Sequence, residues 1–248
     1  VVYNEQGLGD SIQFSKYLIP LSKISKNITF VVQENIKNLF KDLNNINIKN
    51  YEDCKNQTYD FKISLGSLIK FFYREKINSE ENIIELNHTN KIDLEKKIDF
   101  SKKNIGLVWS GSFLGPNEPY RSIPLNYFRK ILNLNANFYA LQNEVWERDL
   151  EYFQSSNLID CGNYKLDELS SLISKLDLVI TCDTSLLHLA SSLNIETWGI
   201  LCLYPDWRWG EFNKFNPYTK LKLFKQKKFC NWDFINDEVY KLLEKKLN

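Results

Sequence analysis

The sequence contains no methionine, and only nine glycines, six prolines and two histidines in 248 residues. Without a methionine, position 1 is not a natural start, so the chain reads as an excised domain or fragment. The lack of a visible signal peptide then carries little weight. Five cysteines, an odd number with no Cys-x-x-Cys pair, give neither a disulfide framework nor a zinc site. They fit reduced thiols in a cytoplasmic protein. Lys+Arg is 32 and Asp+Glu is 31, a net charge of +1, which argues against the clustered positive charge of a nucleic-acid binder. No apolar run approaches the roughly 18 residues of a membrane span, so no integral membrane segment is expected. No internal repeat, P-loop or Gly-x-Ser-x-Gly elbow occurs, which argues against solenoid, NTPase and hydrolase readings. His88 and His188 are far apart and lack paired ligands at helical spacing, so no metal site is expected.

What is present suits a soluble α/β protein. Hydrophobic residues make up 43%, aromatics 14% with six tryptophans, and mean hydropathy is −0.39. The length corresponds to one or two domains. In the first half the pattern predicts a strand stub at Val1–Tyr3, a helix over Ser11–Ser25, a strand over Ile28–Val32, a short helix over Asn35–Leu43 and a strand at Phe61–Ser64. The charged stretch 74–103 reads as a link. In the second half the expected strands are Ile105–Trp109, Asn137–Leu141, Leu178–Thr181 and Glu196–Leu201. The expected helices are Leu125–Leu132, Val145–Gln154, Leu166–Ser174, Thr184–Leu193 and Asp233–Leu247. Apolar strands alternating with helices indicate parallel sheets with helices on each side. The expected layout is two Rossmann-like domains facing a cleft, residues 1–95 and 104–232, with a C-terminal helix over 233–248.

Ligands of open α/β sheets bind beyond the carboxyl ends of strands, so the loops there hold the candidates. Gly7-Leu8-Gly9-Asp10 follows the first strand. Gly7 and Gly9 permit a tight turn and close backbone approach. Asp10 is either a helix cap or a carboxylate able to take a proton from a substrate hydroxyl. Thr181-Cys182-Asp183-Thr184-Ser185 ends another strand and opens a helix, with Asp183 expected as its cap. Free amides and hydroxyls there form an anion site. His188 falls on that helix's polar stripe, either as a surface histidine or aimed at the anion. Trp109-Ser110-Gly111-Ser112 runs toward Asn117 and Arg121, whose planar fork suits phosphate oxygens as well as solvent. Gln142 and Glu144 follow a further strand and are candidates for a base edge or ribose hydroxyl, or ordinary loop residues. Asp206-Trp207-Arg208-Trp209 either walls a sugar pocket or packs its loop.

Taken together, Asn4 to Phe14, Leu107 to Gly111, Arg121 to Leu125, Asp177 to Ser185 with His188-Leu189-Ala190, and Pro205 to Trp209 resemble one known group. It is the glycosyltransferase-like domain that follows tetratricopeptide repeats in many bacterial proteins, similar to the heptosyltransferases of glycosyltransferase family nine. The resemblance implies a GT-B fold and an inverting, metal-independent transfer from a nucleotide-sugar donor, with no further cofactor. The acceptor would be a glycan, a lipid-linked group or a protein. On this resemblance Asp10 matches the family's base, and Asp183, Thr184 and His188 match its donor-phosphate segment, where Ser185 stands in place of the family's glycine. Arg121 matches its basic loop residue. The resemblance also suggests that the final helix packs back across the N-terminal half. Two rival readings are a degenerate domain that binds a nucleotide or glycan without turnover, and a nucleotide-sugar epimerase of the same architecture.

Overall fold

Short apolar strands with no alternation become the centres of two parallel sheets. In the computed structural model, which describes residues 1–72, 86, 98–113, 118, 120–210 and 218–248, the first sheet holds β1 (Val2–Tyr3), β2 (Ile28–Val31), β3 (Ile46–Lys49) and β4 (Ile63–Ser64). Their order is β3-β2-β1-β4 and every pairing is parallel, with Val2 opposite Phe30 on one side and Ile63 on the other. The second sheet holds β5 (Asn104–Val108), β6 (Asn137–Ala140), β7 (Ile159–Asp160), β8 (Leu178–Cys182), β9 (Thr197–Leu201) and β10 (Leu221–Lys225). Its order is β10-β9-β8-β5-β6-β7, again all parallel. This is the doubly wound order of dinucleotide-binding folds, with its switch point between β5 and β8. Every residue of β5, β8 and β9 is buried, as expected for strands covered on both faces.

The expected helix over Ser11–Ser25 forms, but in three pieces and from an earlier start. Helix Leu8–Phe14 passes through a tight 3-10 turn, Ser15–Tyr17, into helix Leu18–Ile24. Pro20 explains the tightening, because it lacks an N–H and its ring crowds the carbonyl four residues back. Residues Glu34–Phe40 wind as a 3-10 helix where an α-helix over Asn35–Leu43 was expected. β3, β7 and β10 were not expected. β3 and β10 lie at sheet edges, and in β10 Leu221 and Phe224 are buried on opposite faces while Lys222 and Lys225 are exposed.

The two halves are packed directly on each other. Helix Leu8–Phe14 lies against helix Ser185–Ser192, and the Glu34–Phe40 turn lies against helix Leu166–Ile173, where Asn38 donates to Asp167 Oδ2 at 2.9 Å. One continuous apolar core, from Phe30 and Leu39 to Leu172 and Leu189, runs through both. The final helix differs from its expected position. It comprises a wide turn, Ile235–Val239, and helix Tyr240–Leu247. Its main contacts are with Leu125–Phe128 and Arg129–Leu132 beside the second sheet, because the buried Val239 and Leu243 face that apolar surface. The 74–103 link lies mostly outside the described residues.

Candidate functional site

The two sheets present their switch points to each other. The loop after β1 carries Gln6, Gly7 and Asp10, the loops after β5 and β8 carry Gly111, Asp183 and Thr184, and a turn beyond β9 carries Asp206 and Arg208. These residues border one cavity of about 530 Å³. A neighbouring cavity of about 290 Å³ shares Leu8, Gly111, Ser112, Thr184 and Ser185 with it and extends past Val108, Leu166 and Glu144.

Asp10 is not the first residue of its helix. Gly7 occupies the cap position, and Asp10, three residues on, reaches back to accept from the Gly7 N–H through Oδ2 at 3.0 Å. Its Oδ1 faces the Arg208 guanidinium in an ion pair that joins the two halves. Burial raises the Asp10 carboxyl above the usual range, while the Arg208 charge pulls it back down. Neither Gly7 nor Gly9 takes a positive φ, so the expected tight turn is not their use. Gly9 serves close approach instead. A Cβ there would meet His188 Cδ2 at 2.9 Å and Ser185 Cα at 3.3 Å, so this glycine lets the Leu8–Phe14 and Ser185–Ser192 helices touch.

At the end of β8 the cap is Thr184, not Asp183. The Thr184 side chain makes no capping bond; its hydroxyl lies 3.3 Å from that of Thr181. Asp183 offers its backbone carbonyl to Arg121 Nη1 at 3.1 Å. Burial pushes its carboxyl up to about 6, against the pull of the Trp209 indole and Arg121. His188 departs from expectation. It is buried, not exposed on a polar stripe, with its ring parallel to Trp209 at 5.3 Å and its Nδ1 2.9 Å from the Tyr218 hydroxyl. Burial and the nearby Arg208 push its pKa down to about 3, so it borders the cavity as a neutral ring and brings no positive charge to an anion.

The β5 loop divides its candidates. Gly111 and Arg121 come together: a Cβ on Gly111 would stand 2.5 Å from Arg121 Nη2, so the glycine leaves room for the guanidinium in its present position. Glu118 Oε1 accepts from Arg121 Nε at 2.6 Å and holds the fork at the cavity wall. Trp109 is fully buried and its indole donates to Asp149 Oδ2 at 3.1 Å, which makes it a core residue. Gln142 is also spent internally. Its Oε1 accepts from the N–H groups of Trp109 and Ser110 at 3.0 and 3.1 Å, and its Nε2 donates to Ser110 Oγ at 2.7 Å. It fixes the loop and has no polar atom left for a base edge. Glu144 is exposed at the smaller cavity, where Oε2 accepts from Phe113 N–H at 3.3 Å. Asn117 and His88 lie outside the described residues. Among the described residues no group of three or more His, Cys, Asp or Glu side chains is gathered as a metal-ligand set.

Gln6, Asp206 and Arg208 also border the cavity, and Arg208, expected only as part of an aromatic cluster, links them. Its Nη2 donates to Gln6 Oε1 at 2.7 Å and its Nη1 pairs with Asp206 at 2.6 Å, while Asp206 Oδ1 also accepts from the Arg208 backbone N–H. The signal was the unusual Asp206-Trp207-Arg208-Trp209 cluster just past the carboxyl end of β9.

Residues 137–223 match the model of glycosyltransferase family 9 (heptosyltransferase). The match takes in Asp183–His188 and Arg208 and leaves Asp10 and Arg121 outside it. No curated protein matches the chain in sequence. Among solved structures, a family 9 glycosyl transferase from Veillonella parvula DSM 2008 is 13% identical, covering 98% of this chain and 88% of its own, with a TM-score of 0.66. The E. coli ADP-heptose lps heptosyltransferase II is 12% identical, covering 99% and 98%, with a TM-score of 0.65. E. coli heptosyltransferase WaaC, solved with ADP-2-deoxy-2-fluoro heptose, is 10% identical, covering 99% of each chain, with a TM-score of 0.62. The chain therefore has the GT-B fold of the heptosyltransferases. The family match agrees with the resemblance read from its sequence and with the expected class of enzyme, a glycosyltransferase.

Proposed function

We propose that this chain, built on the heptosyltransferase fold, moves a sugar from a nucleotide-activated donor to an acceptor hydroxyl, with inversion and without a metal. The observation that carries this is the placement of Asp10 across one cavity from the opening of helix Ser185–Ser192. The first turn of that helix presents backbone N–H groups and the positive end of its dipole, with the Thr184 and Ser185 hydroxyls beside them. Arg121, paired with Glu118, stands at the same wall. Such a wall suits the diphosphate of a nucleotide sugar, and it stabilises the charge that grows there as the sugar leaves. The smaller cavity, with Leu8, Val108, Leu166 and Leu186 on its walls and Glu144 at its edge, suits the nucleoside. The acceptor hydroxyl attacks the anomeric carbon from the Asp10 side, and Asp10 takes its proton. Attack opposite the departing diphosphate inverts that carbon.

Three further expectations belong to this reading. Acceptors of glycan, lipid-linked or protein type remain those that the resemblance implies. Upstream tetratricopeptide repeats and a bacterial source rest on the resemblance too. A cytoplasmic location is supported by five free cysteines, and no described helix is long and apolar enough to cross a membrane.

Thermal unfolding with UDP-, GDP-, ADP- and CMP-sugars tests the donor site, since a ligand of the native state raises its apparent stability. One of these classes is expected to raise the midpoint. Replacing Thr184 with Ala is expected to weaken its binding by roughly 1–3 kcal/mol, the scale of a lost hydrogen bond to a charged group. The hydroxyl makes no helix-capping bond, so the unliganded midpoint should move little. A flat response to every donor would contradict the reading.

A further inference from the structure

Arg208 has more partners than a structural arginine needs, and they belong to both halves. Its guanidinium stands between Asp10 and Asp206 and also reaches Gln6. The Arg208 side chain is 15% exposed and that of Asp10 is 13% exposed. Asp10 meets Arg208 through a single contact, Oδ1 to Nη2. Neither Asp10 Oδ1 nor Arg208 Nε has a well-formed hydrogen bond among the described residues. Asp10 thus holds the cation by one contact and not by the bidentate fork that makes an arginine–carboxylate pair strong, while Gln6 and Asp206 take its other bonds.

The cavity's charges make this arrangement consequential. Three carboxylates (Asp10, Asp183 and Asp206) and two guanidiniums (Arg121 and Arg208) border it. Arg121 is already committed to Glu118 and to the Asp183 carbonyl. A diphosphate entering beside Thr184 would meet a site whose positive charge is spoken for. Arg208 holds both its Nη atoms at the cavity edge among Asp10, Asp206 and Gln6, and it meets Asp10 through Nη2 alone, whereas phosphate oxygens match its whole planar fork.

We propose that Arg208 is a positioning residue that couples donor binding to the release of Asp10: paired with Asp10 in the free protein, it transfers to the donor's diphosphate. This rests on the reading of the Thr184–Ser185 wall as the diphosphate site. The exchange has two effects. The donor gains a cation, and Asp10 loses its counter-ion when an acceptor hydroxyl needs a base. A carboxylate without its paired cation holds a proton more strongly. Donor therefore precedes acceptor. Asp206 keeps the arginine near the cavity throughout.

If Asp10 and the phosphate compete for one arginine, removing the Asp10 charge should tighten phosphate binding. The test is calorimetric titration with ADP, GDP and UDP of the wild-type chain and of Asp10→Asn, Arg208→Gln and the double variant. Asp10→Asn is expected to bind the preferred nucleotide roughly threefold to tenfold more tightly, as expected when a competing charged hydrogen bond is lost. Arg208→Gln is expected to bind it about tenfold or more weakly. The double variant is expected to match Arg208→Gln. Should Arg208→Gln not fold, Arg208→Met keeps the length of the stem without the charge and is expected to erase the Asp10→Asn gain. An Asp10→Asn gain that persists without Arg208 would indicate simple repulsion and overturn the proposal. So would equal affinities of wild type and Asp10→Asn. If nucleotide binding depends on Thr184 and not on Arg208, the coupling fails and the donor site stands. If no nucleotide binds the wild type, both fall together.

Discussion

Gly9 and His188 touch across the junction of the two halves, and a Cβ on the glycine would stand 2.9 Å from His188 Cδ2. The histidine cannot move aside, because Trp209 covers its ring and Tyr218 holds its Nδ1. Gly9→Ala is therefore expected to destabilise the chain by roughly 1–3 kcal/mol, the usual cost of overpacking. Gly7→Ala is the control. It would place its Cβ 3.3 Å from the movable Asp10 Oδ2 and should cost less. Denaturant unfolding of both variants measures the difference, and equal losses would contradict this account of Gly9.

His188 and Asp183 should give opposing pH dependence. His188 is held neutral with a pKa pushed down to about 3. The unfolded chain then binds more protons there than the folded one at acidic pH. The stability this contributes is complete above the ordinary histidine pKa, and it is lost as pH falls toward 3. Asp183 is raised to about 6, so its contribution is present below the ordinary carboxylate pKa and is lost as pH rises through 6. Between the two the effects partly cancel. His188→Gln removes one of them, so its stability should fall less on acidification from pH 6.5 than that of the wild type. Unfolding midpoints across pH 4–7 measure this, and parallel profiles would contradict the buried neutral histidine.

Much of this could be read from the residues, and the failures share a cause. β5, β8 and β9 are legible because both their faces are covered and the apolar runs are unbroken. β3 and β10 escape notice because edge strands carry polar residues among their apolar ones, and Ile-Asn-Ile-Lys or Leu-Lys-Leu-Phe-Lys looks like loop beside them. Asp10, Gly111, Arg121, Thr184 and Ser185 are legible because strand ends place them. Trp109 and Gln142 stand at strand ends too, but Asp149 and two backbone amides consume their polar atoms. His188 is buried by Trp209 and Tyr218, and Arg208 takes its meaning from Gln6 and Asp10 at the far end of the chain. Local spacing does not reveal partners this remote.

If Asp10 takes the acceptor's proton, Asp10→Asn should all but abolish transfer while leaving the donor bound. Asparagine keeps the size and can still accept the Gly7 N–H. With the donor identified by thermal unfolding, transfer to an acceptor is measured for wild type and variant at saturating donor. The account predicts that turnover falls by roughly 10²–10⁴-fold, the range for loss of a general base. Donor affinity should rise, because Asp10 no longer competes for Arg208. Turnover in Asp10→Asn close to that of the wild type would contradict the account and leave Asp10 as a helix cap paired with Arg208.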